Sequence, residues 1–115
     1  MNKGIEKEIQ AKCLTAPRIT PADIEANISS EHYFTAQEGV NGSVSHGAKQ
    51  VKALGLLTFC VIVMRNGFTV TGESACASPE NFDAEIGRKI AKQNAIENIW
   101  PLMGYELRTK LFSGG

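Results

Sequence analysis

The dipeptide Asn66-Gly67 restricts the fold of this chain more than any other feature, because it separates two runs of strand-forming residues. The first run, residues 56–64, is rich in apolar and β-branched side chains, and residues 68–71 resume the strand pattern. Asn-Gly between two such runs is the strongest short-range hairpin signal, since both central residues of a type I′ turn need positive φ angles. The sequence therefore predicts an antiparallel β-hairpin that turns at Asn66-Gly67.

The first strand of this hairpin is apolar on both of its faces. Its side chains form two alternating sets: Leu57, Phe59, Val61 and Val63 on one face, and Thr58, Cys60, Ile62 and Met64 on the other. A strand of this kind in a small domain must be covered on both sides. The chain's own helices can supply one cover, and a second subunit can supply the other.

Helical signals precede the hairpin. Thr20 and Pro21 suit the cap and first turn of a helix, so we expect an N-terminal helix from there to about residue 30. Residues 1–16 have only weak helical spacing, with which a short helix and a frayed segment are equally compatible. Residues 37–52 are rich in glycine and serine, which predicts a mobile loop that is either functional or disordered.

A long C-terminal helix is predicted after Ser78-Pro79, which repeats the cap-and-proline pattern. Pro101 is expected to end or kink this helix, and a short final helix follows. Together these elements indicate a single α+β domain over residues 1–115. The long helix also carries a stripe of small residues at which another backbone, including that of a second subunit, can approach closely: Gly87, Ala91 and Ala95.

Charge and cysteine content argue against several classes of function. The twelve basic and twelve acidic residues cancel, whereas a protein that coats duplex nucleic acid needs excess cations for the phosphates. Cys13, Cys60 and Cys76 do not have the spacing of a disulfide framework or a zinc site. The N-terminus lacks the apolar core of a signal peptide, and the longest apolar run is too short to span a bilayer. We therefore expect a cytoplasmic protein without membrane contact.

The sequence contains no motif that defines a catalytic or metal site. His32 and His46 have no partner at metal-ligand spacing, and no glycine-rich phosphate loop is present. Ser74 and Cys76 have no identifiable base in the sequence, and a small enzyme that acts on a nucleotide through Glu73 or Cys76 is kept as an alternative. We expect neither enzymatic activity nor a bound cofactor.

The C-terminal half contains groups that suit a planar, anionic ligand. Aromatic faces stack on bases, arginines bind phosphate through paired hydrogen bonds, and polar side chains bond ring edges or ribose. A phenylalanine such as Phe82 more often belongs to the core, and an arginine such as Arg88 to a solvated helix face. The ligand hypothesis therefore depends on the number of such aromatic, basic and polar residues near the junction of hairpin and helix. The candidate ligand-binding residues are Phe82, Arg88, Asn94, Tyr105, Arg108, Thr71 and Glu73.

Two blocks of the chain resemble a family of small tailed-phage and prophage proteins of long-unassigned function. They are ITPADIEANISSEHYFTAQEG and LTFCVIVMRNGFTVTGESACASPENFDAEIGRKIAKQNAIENIWPLMGYELRTKL. The hairpin and long helix are also similar in layout to phage anti-defence sponges, which sequester glycocyclic ADP-ribose signals of the Thoeris system or cyclic di- and trinucleotides. This resemblance implies a phage protein that binds such a signal without cleaving it. It also implies a homo-oligomer, from a dimer up to a hexamer.

Other functions are compatible with the same residues. The main alternative is a phage accessory or structural protein that acts only through protein–protein contacts and is not stabilised by any nucleotide. A nucleic-acid-binding regulator would instead retain DNA or RNA in a salt-dependent manner.

Overall fold

The computed structural model describes residues 3–12 and 16–114, so Cys13 and part of the weakly helical segment 1–16 lie outside the described residues. A three-stranded antiparallel sheet of order β1-β2-β3 forms one layer, and a long helix packed on one of its faces forms the other. The predicted α+β class is confirmed. The helices are α1 (Lys3–Ala11), α2 (Pro21–Ala26), α3 (Ala36–Ser43), α4 (Lys52–Gly55) and α5 (Ala84–Phe112), and the strands are β1 (Ile28–Thr35), β2 (Leu57–Met64) and β3 (Thr69–Ala75).

The hairpin of β2 and β3 is confirmed, but its loop is longer than a two-residue type I′ turn. Met64 donates its backbone N–H to the carbonyl of Phe68 (2.8 Å), which places Arg65, Asn66 and Gly67 in the loop. Gly67 donates to the Met64 carbonyl (2.9 Å) and has a φ angle of 90°. A turn followed by one residue in the left-handed region is the usual three-residue hairpin loop. The side-chain oxygen of Asn66 accepts the backbone N–H of Phe68, which stabilises this loop.

Strand β1 is an element that the sequence analysis did not predict. The expected helix to about residue 30 was wrong in extent, because α2 ends at Ala26 and Ile28–Thr35 pairs with β2. The start of α2 agrees with the prediction: the Thr20 hydroxyl accepts the Asp23 N–H, and the Asp23 carboxylate accepts the Thr20 N–H. The hydrogen bonds of β1 come from a strand far along the chain, so they leave little local pattern.

Helix α3 lies where a loop was expected over residues 37–52. The Thr35 hydroxyl accepts the N–H of Glu38 (3.1 Å), and the Glu38 carboxylate accepts the N–H of Thr35 (2.8 Å). This reciprocal pair is a capping box, which stabilises the first turn of a helix despite the glycines that follow. The loop prediction was therefore wrong for its first half, while residues 44–51 have no regular structure.

Helix α5 differs from the prediction at both ends. Pro79 opens only one turn of 3-10 helix, and α5 begins at Ala84 after Asp83, whose carboxylate accepts the Ile86 N–H (3.0 Å). The helix then continues through Pro101 to Phe112, so a separate final helix was wrong. Pro101 is exposed, and it lies inside the helix without ending it.

The sheet and α5 approach each other most closely at Gly72. A Cβ atom there would collide with the Ala95 nitrogen and the Ala91 carbonyl oxygen, and would lie 2.8 Å from the Ala95 Cα. The stripe of small residues on α5 is therefore buried against the protein's own sheet. It is not available to a second subunit, which corrects one of the two predicted oligomer surfaces. The apolar core beside it consists of Ile24, Cys60, Ile62, Met64, Val70 and Ile99.

We predict that Gly72→Ala lowers the free energy of unfolding by about 3 kcal/mol or more, because both colliding groups are backbone atoms that cannot rotate away. The matched control is Gly42→Ala in α3, where nothing lies within 4 Å of the added methyl group. That change should raise the stability by about 0.5–1 kcal/mol. Urea unfolding measures both, and equal stability of the two variants would contradict the close approach.

Candidate ligand-binding site

A gap between β1 and the N-terminal part of α5 forms a pocket on the helix-covered face of the sheet. Helix α5 packs on β3 and β2, and α2 packs on β1 beside α5, which leaves the Thr35 end of β1 open. The pocket has a volume of about 160 Å³. We call it the β1–α5 pocket. Its lining residues are Tyr33, Phe34, Thr35, Glu38, Thr58, Phe82, Ala84 and Arg88.

Strand alternation positions the β1 side chains of this pocket. Tyr33 and Thr35 pair with Cys60 and Thr58, which are both buried. Cross-strand partners share one face of a sheet, so Tyr33 and Thr35 point to the side that carries α5. Phe82 closes the pocket from the segment just before α5.

Arg88 is the only cation of α5 without an ion-pair, hydrogen-bond or ring partner among residues 3–12 and 16–114. An unpaired guanidinium next to aromatic side chains is available to an anion, because its planar fork matches phosphate and carboxylate oxygens. The other cations of α5 are engaged: Lys89 with Glu85 (3.4 Å), Lys92 with Glu31 (3.1 Å), Lys110 with Glu106 (3.7 Å), and Arg108 over the ring of Phe112 (5.9 Å).

The carboxylate in the pocket lining belongs to Glu38, and it is already bonded. It accepts the Thr35 N–H at the N-terminal end of α3, where the helix dipole favours a negative charge. The charges of Glu38 and Arg88 therefore come from different elements. The pocket is polarised between them instead of being uniformly positive.

A charged cluster beside the pocket joins α5 to β1. The Lys92 ammonium lies 3.1 Å from Glu31 and 3.6 Å from Glu25, and the Tyr33 hydroxyl donates to Glu31 (2.9 Å). Burial raises the pKa of Glu31, but the bonds from Lys92 and Tyr33 outweigh it, so that the pKa lies below its usual value. Burial lowers the pKa of Lys92, and Glu31 and Glu25 more than compensate. The pair therefore stays ionised around neutral pH.

Cys60, on the same face, is not prepared for nucleophilic chemistry. Its side chain is fully buried, and burial raises the pKa of the thiol. Burial and the bond to Glu31 also raise the pKa of Tyr33 well above its usual value. Both groups therefore keep their protons at neutral pH, and a buried thiol of this kind is typically inert.

We predict that Lys92→Met lowers the free energy of unfolding by about 1–2 kcal/mol, since it leaves Glu31 partly buried and unpaired. The lowered pKa of Glu31 stabilises the wild type above the unfolded-state pKa of glutamate, and this contribution disappears as pH falls through the folded-state pKa. The raised pKa of Lys92 adds stability below the unfolded-state pKa of lysine, which is lost as pH rises through its folded-state value.

Lys89→Met is the matched control for this change, because the Lys89–Glu85 pair is about 70% exposed on each side chain. It should change stability by less than about 0.5 kcal/mol. Chemical unfolding across a pH series measures both variants. Equal effects of the two substitutions would show that the cluster contributes nothing beyond an ordinary surface pair.

The structure brings together only two of the seven candidate ligand residues, Phe82 and Arg88. Thr71 and Glu73 pair with Val61 and Phe59, on the sheet face opposite α5. Tyr105 and Arg108 lie near the far end of α5, and Arg108 is about 30 Å from Arg88 along the helix axis at 1.5 Å per residue. One copy of the chain cannot close a single pocket with all seven.

Asn94 has a structural contact with the sheet edge. Its amide donates to the Glu73 carbonyl (2.7 Å), and the Asn98 amide donates to the Thr71 carbonyl (2.7 Å). Residues four apart on a helix and two apart on a strand have nearly the same spacing, about 6 Å and about 6.7 Å, so the two bonds fit together. We call this pair the asparagine clasp; it fixes α5 along the free edge of β3.

The sequence analysis did not group three other lining residues with Phe82 and Arg88: Tyr33, Thr35 and Thr58. The capping pattern Thr35-x-x-Glu38 was present and could have ended the preceding element at Thr35. That boundary would have suggested a strand before it, with Tyr33 and Thr35 on one face. Thr58 was assigned to the correct strand, but its neighbours across the sheet could not be known without β1.

Within residues 3–12 and 16–114 no three His, Cys, Asp or Glu side chains cluster in a way that could bind a metal ion. His32 instead bonds to the Ser30 hydroxyl (3.0 Å). No helix in this part of the chain has the length and apolar character to cross a membrane.

The fold and pocket define a small two-layer α+β protein with a polarised surface pocket near the N-terminal end of its long helix. A protein-family model, described as the phage protein (N4 Gp49/phage Sf6 gene 66) family, matches residues 19–111. The chain belongs to this family of phage proteins, which confirms the predicted relation to small phage proteins. No curated protein and no solved structure matches the chain. The similarity to Thoeris anti-defence sponges stays a prediction.

Proposed function

We propose that this phage protein binds a small, anionic nucleotide signal and holds it without cleaving it, as an anti-defence sponge. The observation that carries the proposal is the unpaired Arg88 guanidinium in the β1–α5 pocket, beside Phe82 and Tyr33. The signals we expect are glycocyclic ADP-ribose or cyclic di- and trinucleotides, which combine phosphates with a flat base.

The pocket offers a matching group for each part of such a ligand. Arg88 can bind a phosphate through two parallel hydrogen bonds. The rings of Phe82 and Tyr33 give a surface on which a base can stack, with a gain of about 1–3 kcal/mol per base. The Thr35 hydroxyl, which accepts a bond from Glu38, still has a proton to donate to a ribose or phosphate oxygen.

The size of the pocket favours a site that is completed by another copy of the chain. Ligand pockets usually measure about 300–1,000 Å³, whereas the β1–α5 pocket has about 160 Å³. One copy can therefore hold a phosphate and part of a base, and a whole cyclic nucleotide extends beyond it. This supports a homo-oligomer, from a dimer to a hexamer, as the binding form.

The chemistry of the neighbouring groups supports binding without turnover. The Cys60 thiol beside the pocket is buried and stays protonated at neutral pH, as does the Tyr33 hydroxyl. The carboxylate of Glu38 is bonded to the start of α3. A sponge needs affinity and copy number, and neither requires an activated nucleophile.

We predict that one of these nucleotides raises the Tm of the purified protein in a thermal-shift screen. A ligand at a hundred times its Kd adds about 2.7 kcal/mol of stability, which for a domain of this size raises the Tm by roughly 10 °C. The ligand should be recovered chemically unchanged after the protein is denatured. A consumed ligand would show an enzyme instead.

The matched variants for this screen are Arg88→Ala and Lys89→Ala, which remove neighbouring cations from the same helix turn. Arg88→Ala should weaken binding roughly tenfold or more, since a hydrogen bond to a charged group contributes about 1.5–3 kcal/mol. Lys89 lies outside the pocket lining, so its loss should leave the affinity within about twofold. Equal loss in both variants, or in neither, would place the ligand elsewhere.

A second function, that of a phage accessory protein acting through protein contacts, is favoured by the free face of the sheet. Val61 and Val63 are half-buried on the face opposite α5, and their cross-strand neighbours there are polar, including His32 and Thr71. This apolar strip agrees with the expected need for a second cover on β2. Absence of a Tm shift with every nucleotide would move the assignment to this function.

A further inference from the structure

A crevice lies between the loop of the β2–β3 hairpin and the second half of α5, well away from the β1–α5 pocket. It has a volume of about 170 Å³. Glu106, which lines it from α5, is about 27 Å from Arg88 along the helix axis at 1.5 Å per residue. The two cavities share no lining residue. We call this second cavity the hairpin crevice, and its chemistry is independent of the proposed nucleotide site.

Four apolar side chains form the walls of the hairpin crevice. Met64 is buried at the end of β2, and Met103 is half-buried on α5. Phe68 and Leu102 are 58% and 42% exposed, so both have apolar surface that a ligand can cover. Methionine side chains are flexible and polarisable, which lets such walls adapt to a short carbon chain. The walls therefore favour an aliphatic group.

The polar groups of the crevice are mainly hydrogen-bond acceptors. The Asn27 amide donates to the Met103 sulfur (3.5 Å), and the Asn27 side-chain oxygen has no donor among the described residues. The Asn66 side-chain oxygen accepts the Phe68 N–H (2.9 Å) and has a second lone pair. The third acceptor is the carboxylate of Glu106. These oxygens suit a ligand that donates several hydrogen bonds.

Glu106 gives the hairpin crevice a negative charge. It is the only charged residue of the lining in the part of the chain that the structure describes. Its ion-pair partner, Lys110, lies 3.7 Å away, and the side chains of Lys110 and Glu106 are 66% and 58% exposed. An exposed pair of this kind is weak, so the Glu106 carboxylate can exchange the Lys110 ammonium for that of a ligand.

We propose that the hairpin crevice binds a primary alkylammonium group, either that of a free small diamine or that of a lysine side chain of another protein. The carbon chain lies against the apolar walls, and the ammonium donates to the Glu106 carboxylate and the Asn27 oxygen. An ammonium has three donors and no acceptor, which matches a crevice that offers acceptors. The face of the Phe68 ring also attracts a cation.

Other classes of ligand fit this cavity less well. Glu106 repels a phosphate, and the described lining contains no lysine or arginine to offset that repulsion. A purely apolar ligand would cover the acceptor oxygens without donating to them, which costs free energy. The cavity is also smaller than the about 300–1,000 Å³ of usual ligand pockets. Its size and charge together favour a short, positively charged chain.

The first experiment is a titration of the full-length protein, without nucleotide, followed by the amide signals in two-dimensional NMR spectra. The probes are 1,4-diaminobutane, Nα-acetyl-lysine amide and the uncharged 1,4-butanediol. An amine should shift the amide signals of Asn27, Phe68 and Met103 to saturation, with a Kd in roughly the millimolar range because the ligand has few heavy atoms. The diol, which has the same carbon chain as the diamine, should leave them unchanged.

The amine that binds more tightly identifies the source of the ammonium group, since one probe represents a free diamine and the other a lysine side chain. If neither amine shifts these signals, or if the diol shifts them equally, the proposal is wrong. Because no nucleotide is present, this outcome is separate from that of the screen at Arg88.

The second experiment repeats the titration with single variants of α5. Glu106→Gln keeps the shape of the side chain and removes its charge, so it should weaken binding of the amine roughly threefold to fivefold. Lys110→Met removes the competing ammonium and should strengthen binding. The matched control is Glu85→Gln, because Glu85 forms the same type of exposed pair with Lys89 outside the crevice. It should keep the affinity within about twofold, and equal losses in both glutamate variants would overturn the proposal.

Discussion

The contact between Gly72 and the backbone of Ala91 and Ala95 fixes the relation between the two layers of the protein. Because no side chain separates strand from helix at this point, α5 lies mainly along β3 and only partly over β2. The inner face of β1 is covered by α2 at its Ile28 end, and its Thr35 end is left without a helix above it. The pocket beside Arg88 lies in the space that remains because α5 is held to the β3 side of the sheet.

An ion pair joins α5 to β1, where apolar packing between the two elements is sparse. Lys92 reaches from α5 to the β1 side and pairs with Glu31, which also holds the hydroxyl of Tyr33. The ion pair bridges the gap at one end, while Phe82 and Arg88 border it at the other. Two cations one turn apart on the same helix therefore differ: Lys92 joins two elements of the fold, and Arg88 has no ion-pair partner among residues 3–12 and 16–114.

The sequence was most informative where structure is local. The hairpin was predicted from Asn66-Gly67. The starts of α2 and α3 both have a capping pattern that can be recognised in the sequence. Strand β1 was missed because its hydrogen bonds come from β2, and most of its exposed side chains are polar. Without β1, the β1 side of the pocket could not be predicted, since Tyr33 and Thr35 are positioned by the pairing of β1 with β2. Pro101 was over-weighted as a helix breaker, since α5 continues through it to Phe112.

The asparagine clasp makes the two edges of the sheet unequal. On β3, the carbonyls of Thr71 and Glu73 are already taken by amides from α5, so an incoming strand finds its acceptors occupied. Among the described residues, β1 carries no comparable pair of side-chain amides along its outer side. Any growth of this sheet by an added strand is therefore one-directional, and the protein has a built-in polarity that protects it from open-ended strand-by-strand polymerisation.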